Sequence, residues 1–318
     1  MVSTLESEEK YIDLHTHSTA SDGSMEPAAL VRHAYELGLT AIALTDHDTV
    51  GGVGQALEEG ARLGMEVIPG VEISVSLSSW GPLSYTKPGT HQGVTSAPSP
   101  QQGVTSAEPD EPEMHLLGYF FNGSYELLSD TLEDLRQKRE QRNPKIIAKL
   151  NELGFDISLE EVTRKAAGGI VGRPHIARVL MEKGYTSSIS EGFDRYLAAG
   201  RPAYFRKDKL TPEEGLAEII RAGGVPVLAH PIYLGVRGRQ LGKVLEKLKR
   251  AGLKGIEALY TENTQEQTDE LLKLAQEYGL KVTGGSDFHG SFKPDIEAGV
   301  GRGNLRIPYS LLMVLREE

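Results

Sequence analysis

Residues 11–24 read YIDLHTHSTASDGS, a short apolar run that passes directly into His15, His17 and Asp22. The same pattern recurs along the chain. AIALT (41–45) runs into Asp46, His47 and Asp48, and VIPGV (67–71) into Glu72. VPVLA (225–229) runs into His230, and KVTGG (281–285) into Ser286, Asp287 and His289. Strands are expected at 11–14, 40–44, 66–75 (interrupted by Pro69 and Gly70), 226–229, 255–258 and 281–284. Between them, stretches of helical period lie at 27–37, 55–63, 213–222, 241–251 and 265–278. Such alternation predicts parallel strands in an α/β fold. In β/α barrels the loops after the strands converge at one end, so ligands far apart in sequence meet there.

Two stretches break the rhythm. Residues 78–113 are rich in Ser, Pro, Gly, Thr and Gln, and QGVTSA occurs twice, at 92–97 and 102–107. A polar tandem repeat has nothing to bury, so a mobile surface loop is expected, with His91 a bystander in it. Residues 125–201 are strongly helical, with a charged helix at 127–150 and the segments SLEEVTRKA and GRPHIARVLMEKG. One barrel, formed by 11–120 and 202–307 and interrupted by a helical subdomain at 121–201, is more economical than two independent domains.

Composition narrows the chemistry. The 318 residues contain no cysteine, which excludes a disulfide scaffold, a thiolate zinc site and a cysteine nucleophile. Any metal must be held by imidazole and carboxylate. The 45 acidic residues against 34 basic ones give a net charge of −11, the wrong sign for non-specific binding along duplex DNA. The start, MVSTLESEEK, lacks the apolar core of a signal peptide, and no apolar run reaches membrane-spanning length, so a cytoplasmic protein is expected.

His15, His17, Asp22, His47, Glu72, His115, His230, Asp287 and His289 are candidate metal ligands. A lone buried histidine is more often structural, and an Asp after a strand often caps a helix. Coincidence favours metal: six of the nine histidines border apolar strand runs. His115 precedes its strand, HLLGYF. If that strand pairs antiparallel with 72–76, its start lies beside Glu72. Nine ligands exceed the needs of one ion, so two or three divalent ions are expected, with Glu72 the bridging carboxylate. The donor set suits manganese, iron or zinc. Asp46 and Ser286 are expected to orient imidazoles from behind, and Asp48 to do the same or to cap a helix.

YIDLHTHSTASDGS, LTDHDT, GVEIS, HLLGY, LAHP and GSDFH, in this order, resemble the motifs of the PHP (polymerase and histidinol phosphatase) superfamily. The segment GRPHIARVL, then GRPAYF and AGGVPVLAHP, resembles more narrowly a bacterial subgroup. That subgroup includes 3′,5′-nucleoside bisphosphate phosphatase and the 5′-to-3′ exoribonuclease ribonuclease AM. The resemblance implies a distorted (β/α)7 barrel with up to three divalent ions. It assigns His15, His17, Glu72 and Asp287 to one ion, Glu72, His115 and His230 to a second, and Asp22, His47 and His289 to a third.

The expected reaction is hydrolysis of a phosphate ester by water activated at the ions, with His230 or His289 assisting the leaving group. Arg139 and Arg142, neighbours at i, i+3 on one helix, and Arg173 and His175 of GRPH are the candidate substrate contacts, because a guanidinium grips phosphate through two parallel hydrogen bonds. Each has a plainer reading, as a solvated helix face or a local ion pair. Arg201 and Lys207 are weaker candidates. The expected substrate is a nucleoside bisphosphate or a short RNA 5′ end. Histidinol-phosphate phosphatase is the alternative within enzymes, and a non-catalytic metal- or nucleotide-binding module the alternative outside them.

Overall fold

The computed structural model describes residues 10–77, 80, 113–166, 171–198, 200–205 and 209–317. The expected 78–113 loop, with His91 and the repeats, lies almost wholly outside them, and so does Lys207. Seven strands form one sheet in sequence order: β1 (Ile12–Thr16), β2 (Ala41–Leu44), β3 (Glu66–Ser76), β4 (Glu113–Tyr119), β5 (Val225–Leu228), β6 (Gly255–Tyr260) and β7 (Lys281–Gly285). Neighbours run parallel except β4, which is antiparallel to both β3 and β5. Backbone bonds from His17 N to Phe288 O (3.0 Å) and from Asp287 N to His15 O (2.9 Å) join the first strand's end to the last. The result is a nearly closed, distorted barrel.

Pro69 and Gly70 do not interrupt β3. They mark where it changes neighbours. Residues 66–69 pair with β2 and residues 70–76 with β4. Proline brings no N–H to a ladder, and a Cβ at Gly70 would fall 2.8 Å from Thr45 Cγ2 and 3.0 Å from Leu44 O. The antiparallel pairing expected for HLLGYF is present, with Ser74 opposite His115.

The barrel is filled by Ile12, Leu14, Ala41, Ala43, Ile68, Leu117, Tyr119 and Val227. Its floor is closed by Ile307 and by Leu312 and Leu315 of a last helix, α10 (Ser310–Arg316). The expected barrel boundary at 307 missed that helix. Burying one such leucine contributes about 1.5–3 kcal/mol, so the tail is part of the core. Outside the barrel pack α1 (Pro27–Glu36), α2 (Val53–Leu63), α7 (Pro212–Arg221), α8 (Gly238–Arg250) and α9 (Gln265–Tyr278). Thr211 and Thr264 start α7 and α9 with capping boxes, satisfying donors that the first turn leaves open.

The helical segment is α3 (Ser129–Glu152), α4 (Leu159–Lys165), α5 (Arg173–Glu182) and α6 (Ile189–Gly192). Its first turns belong to the barrel, because Leu128, Leu132 and Leu135 join the cluster beneath β3 and β4. Beyond them Ile146, Ile147 and Leu150 join a separate apolar cluster with Ile157, Ile176, Leu180 and Leu197. Helix α3 is thus a strut rooted in one core and ending in another. Among the described residues no helix is long and apolar enough to cross a membrane.

Ser76 and Glu113 are directly paired, so the two ends of the 77–112 connection are held together by the ladder itself. Trp80 further ties its start down, through its indole N–H to Glu213 (2.9 Å) and the Lys247 ammonium over its ring. Replacing 82–110 by a short Gly/Ser linker, with Trp80 kept, should leave melting temperature and turnover near wild type. A loss above roughly tenfold in a well-folded variant would show that the connection takes part in catalysis.

Candidate metal centre

All nine candidate ligands lie at one end of the barrel. The chain turns out of the strands sharply there. Asp48, His230 and Asp287 adopt positive φ angles of 52°, 24° and 58°, and they are the non-glycine residues that do so among those described. Such backbone is strained for an L-residue and collects at functional sites.

Glu72 stands at the centre with no exposed surface. Its Oε1 lies 2.8 Å from His115 Nδ1 and 2.8 Å from His230 Nε2. Its Oε2 lies 3.2 Å from His15 Nε2, 3.3 Å from His17 Nε2 and 3.0 Å from His47 Nδ1. Asp287 Oδ1 approaches His15 Nε2 (3.7 Å), His17 Nε2 (3.2 Å) and His289 Nδ1 (3.4 Å). Asp22 lies 3.4 Å from His289 Nε2 and 3.9 Å from both His17 Nδ1 and His47 Nε2.

Two ring nitrogens are fixed from outside. Glu257 of β6 accepts from His15 Nδ1 (2.9 Å) and, through its other oxygen, from the backbone N–H of His230 (2.7 Å). His289 Nδ1 donates to Asp287 O (2.8 Å). These bonds set the tautomers of His15 and His289 and turn their Nε2 atoms inward, toward Glu72 and Asp22. His15 Nε2, both nitrogens of His17, His47 Nδ1 and Glu72 Oε2 are buried without hydrogen-bond partners. Buried polar atoms are normally paired, so this concentration of orphans fits ions in the centre.

Among the described residues, four groups of close donor atoms follow from the geometry: His17, Asp22, His47 and His289; His15, His17 and Asp287; His15, Glu72 and His230; and His47, Glu72 and His115. Burial raises the carboxyl pKa of Glu72, Asp22 and Asp287, but the facing imidazoles, and for Asp287 the Lys293 ammonium, outweigh it and hold all three well below the usual range. The centre is therefore anionic and must be neutralised, by protons on imidazoles or by metal cations.

The groups expected behind the imidazoles do something else. Asp46 accepts from Ser18 N, Ser18 Oγ and Ser21 Oγ (2.7, 2.7 and 2.6 Å), pinning the turn after His17. Ser286 donates through N and Oγ to Asp13 (3.0 and 2.5 Å). Asp48 accepts from Ser74 N (3.1 Å), and α2 is capped by Gly52 instead. The sequence reading missed Glu257 and Asp13. A single acid inside each apolar strand, GIEALY and YIDL, was the available signal.

A cavity of about 410 Å³ opens from the centre toward the helical segment. Asp22, His47, His115 and His289 line its floor; Arg142, Arg173, Lys209 and Lys293 line its walls. His230 is not among the lining residues. Arg173 is held by a bond from Nη1 to Leu197 O (3.0 Å), with its guanidinium 5.8 Å from the Phe193 ring and 5.5 Å from that of Tyr204. His175 does not reach the cavity. It is 1% exposed, and its Nδ1 accepts from Gly172 N (3.0 Å) at the start of α5. The Arg139 side chain lies outside the described residues, and Arg201 is exposed away from the lining. Lys209 and Lys293 were missed; the latter lies 2.6 Å from Asp287 Oδ2.

The sequence matches the PHP domain family over residues 13–222. It is 31% identical over 279 residues to the 5′-3′ exoribonuclease Rnm of Escherichia coli, spanning 87% of this chain and 84% of that one. It is 27% identical over 279 residues to the 3′,5′-nucleoside bisphosphate phosphatase of Chromobacterium violaceum, spanning 87% of each. A crystal structure from Bifidobacterium adolescentis, described as a metal-dependent phosphoesterase, superposes with a TM-score of 0.74 at 27% identity, over 96% of this chain and 95% of that one.

Glu257 uses two oxygens for two donors, and glutamine has only one acceptor oxygen. Glu257→Gln should weaken ion binding about 10–100-fold in a metal titration, as removing an outer hydrogen-bond partner does. Unchanged affinity would mean that Glu257 serves folding alone.

Proposed function

The chain belongs to the PHP domain family, and on that premise we propose that this hydrolase of phosphate esters acts on nucleotides carrying a second phosphate: a nucleoside 3′,5′-bisphosphate, or the 5′ end of a short RNA. The carrying observation is one cavity that sets Arg142, Arg173, Lys209 and Lys293 opposite the histidine–carboxylate centre. The names of the similar proteins support the same substrate class.

We assign two or three divalent ions to His15, His17, Asp22, His47, Glu72, His115, His230, Asp287 and His289. Bound there, they supply Lewis acidity toward a phosphoryl oxygen and a lowered pKa for water. The protein's own groups do the remainder. Glu257 and the Asp287 carbonyl hold imidazoles in one tautomer. Lys293, beside Asp287 on the cavity wall, places a positive charge where a phosphoryl or leaving oxygen enters. Of the two proposed assistants, His289 faces the cavity and His230 lies behind Glu72.

The phosphate being cleaved occupies the centre, which leaves Arg173 to grip the other. A guanidinium has five N–H donors in a planar fork, and a parallel pair suits phosphate. An acidic chain with cationic side chains gathered in one cavity also favours a small or end-bound ligand over RNA held along its length.

Two measurements test this. Elemental analysis of metal-loaded protein should find two to three ions per chain, and Glu72→Gln should lose at least one; a wild type holding one or fewer overturns the assignment. Comparing kcat/KM for adenosine 3′,5′-bisphosphate and adenosine monophosphate should show a wild-type preference for the bisphosphate. A charge-assisted hydrogen bond is worth about 1.5–3 kcal/mol, so Arg173→Ala should reduce that preference by roughly 10–150-fold. Equal losses on both substrates would remove Arg173 from the second phosphate. A wild-type preference for histidinol phosphate would falsify the substrate reading.

A further inference from the structure

One wall of the cavity is unlike the others. Ile189, Phe193 and Phe292 line it, all half-buried, and its polar side chain is that of Ser190. Phosphate and metal need no apolar surface; Ile189 and Phe193 pack on one side against the apolar cluster of the helical segment and, like Phe292, still present surface to the cavity. The rings come from separate parts of the chain. Phe193 follows α6 in the helical segment, and Phe292 stands three residues after His289 at the barrel rim.

Phe292 is also braced from behind. The Arg178 guanidinium lies over its ring, 4.8 Å from the centroid, and is steered there by bonds to Glu182 Oε1 (3.1 Å) and Ser291 Oγ (3.3 Å). The His175 ring stands perpendicular to it, with centroids 5.5 Å apart. His175 is anchored in turn by accepting from Gly172 N. One face of Phe292 is thus covered by a cation and its tilt is set by an imidazole, while the ring still contributes to the cavity.

We propose that Phe292, with Phe193 and Ile189 beside it, is a stacking platform for the nucleobase, which binds by its π-face without being read. The inference deepens the nucleotide reading and rests on it. Every base presents a π-face, and stacking on an aromatic side chain tolerates any of them. Reading a base edge needs paired donors and acceptors, such as Asn or Gln amides, and among the described residues the cavity lining contains neither. His175, which the sequence singled out, is on this account a positioning residue that acts through Phe292 and the start of α5.

The test measures kcat/KM for adenosine 3′,5′-bisphosphate and for its tetrahydrofuran analogue, which keeps both phosphates and lacks the base. Stacking on one aromatic is worth roughly 10–100-fold, so wild type should favour the nucleotide by about that factor. Phe292→Ala should abolish the preference by losing activity on the nucleotide alone, chiefly through KM. Phe292→Tyr should restore it, and metal content should be unchanged in both variants. The four bases should lie within about tenfold of one another. Equal losses on both substrates, or no loss on either, overturn the platform, and so does equal wild-type activity on the two. A wild type that does not cleave the bisphosphate at all overturns the nucleotide reading and the platform together. Cleavage with no base preference over the analogue overturns the platform alone.

Discussion

A carboxylate with no exposed surface, ringed by five imidazoles, is the constraint around which this molecule is built. An ionised Glu72 removed from water is tolerable only with positive charge packed against both oxygens. His15 comes from β1 and His17 from just past its end, His47 from just past β2, His115 from β4 and His230 from just past β5. No local segment could supply that ring. The barrel is the device that brings side chains of these four strands around Glu72 of β3, and the centre is correspondingly strained, with three non-glycine residues among those described forced to positive φ.

Much of this was legible in the sequence, for a physical reason. Strand ends are where the apolar run stops and the chain is free to carry polar chemistry, so the clustered histidines and carboxylates advertise themselves by position. The antiparallel placement of β4 followed from asking how His115 could reach the same end. Groups acting inside a strand are harder to see. Glu257 and Asp13 sit within apolar runs, where one acid looks like an ordinary exposed position until the fold shows both to be fully buried. Asp46 and Ser286 were expected to orient imidazoles, but their partners are backbone amides, hydroxyls and Asp13, which no spacing rule predicts. His175 shows the opposite error. Its motif looked like ligand chemistry, and its ring instead starts a helix and braces a phenylalanine.

The division of labour within the chain is equally physical. The barrel is rigid and supplies the charges that must be placed to within a fraction of an ångström. The helical segment, rooted by the first turns of α3 in the barrel core, supplies Arg142 and Arg173 from a second apolar cluster. The cavity-facing side chains of that segment can therefore change without disturbing the packing of the barrel centre. Among similar proteins of this length, one is named for RNA and another for a nucleoside bisphosphate.

The floor of the barrel also dictates an order in time. Ile12 N bonds to Ile307 O, β1 closes against the end of β7, and Leu312 and Leu315 complete the packing beneath them. The earliest strand thus waits for the last helix. During synthesis, β1 to β4 emerge with their inner face uncovered, and His15 and His17 are made long before Asp287 and His289. The helical segment, holding its own apolar cluster, has what it needs to settle first. Contacts this distant in sequence make barrel closure slow relative to local helix formation. The centre is consequently completed late: a nascent chain stopped before β7 lacks Asp287 and His289, and one stopped before α10 has those side chains but not the floor beneath them.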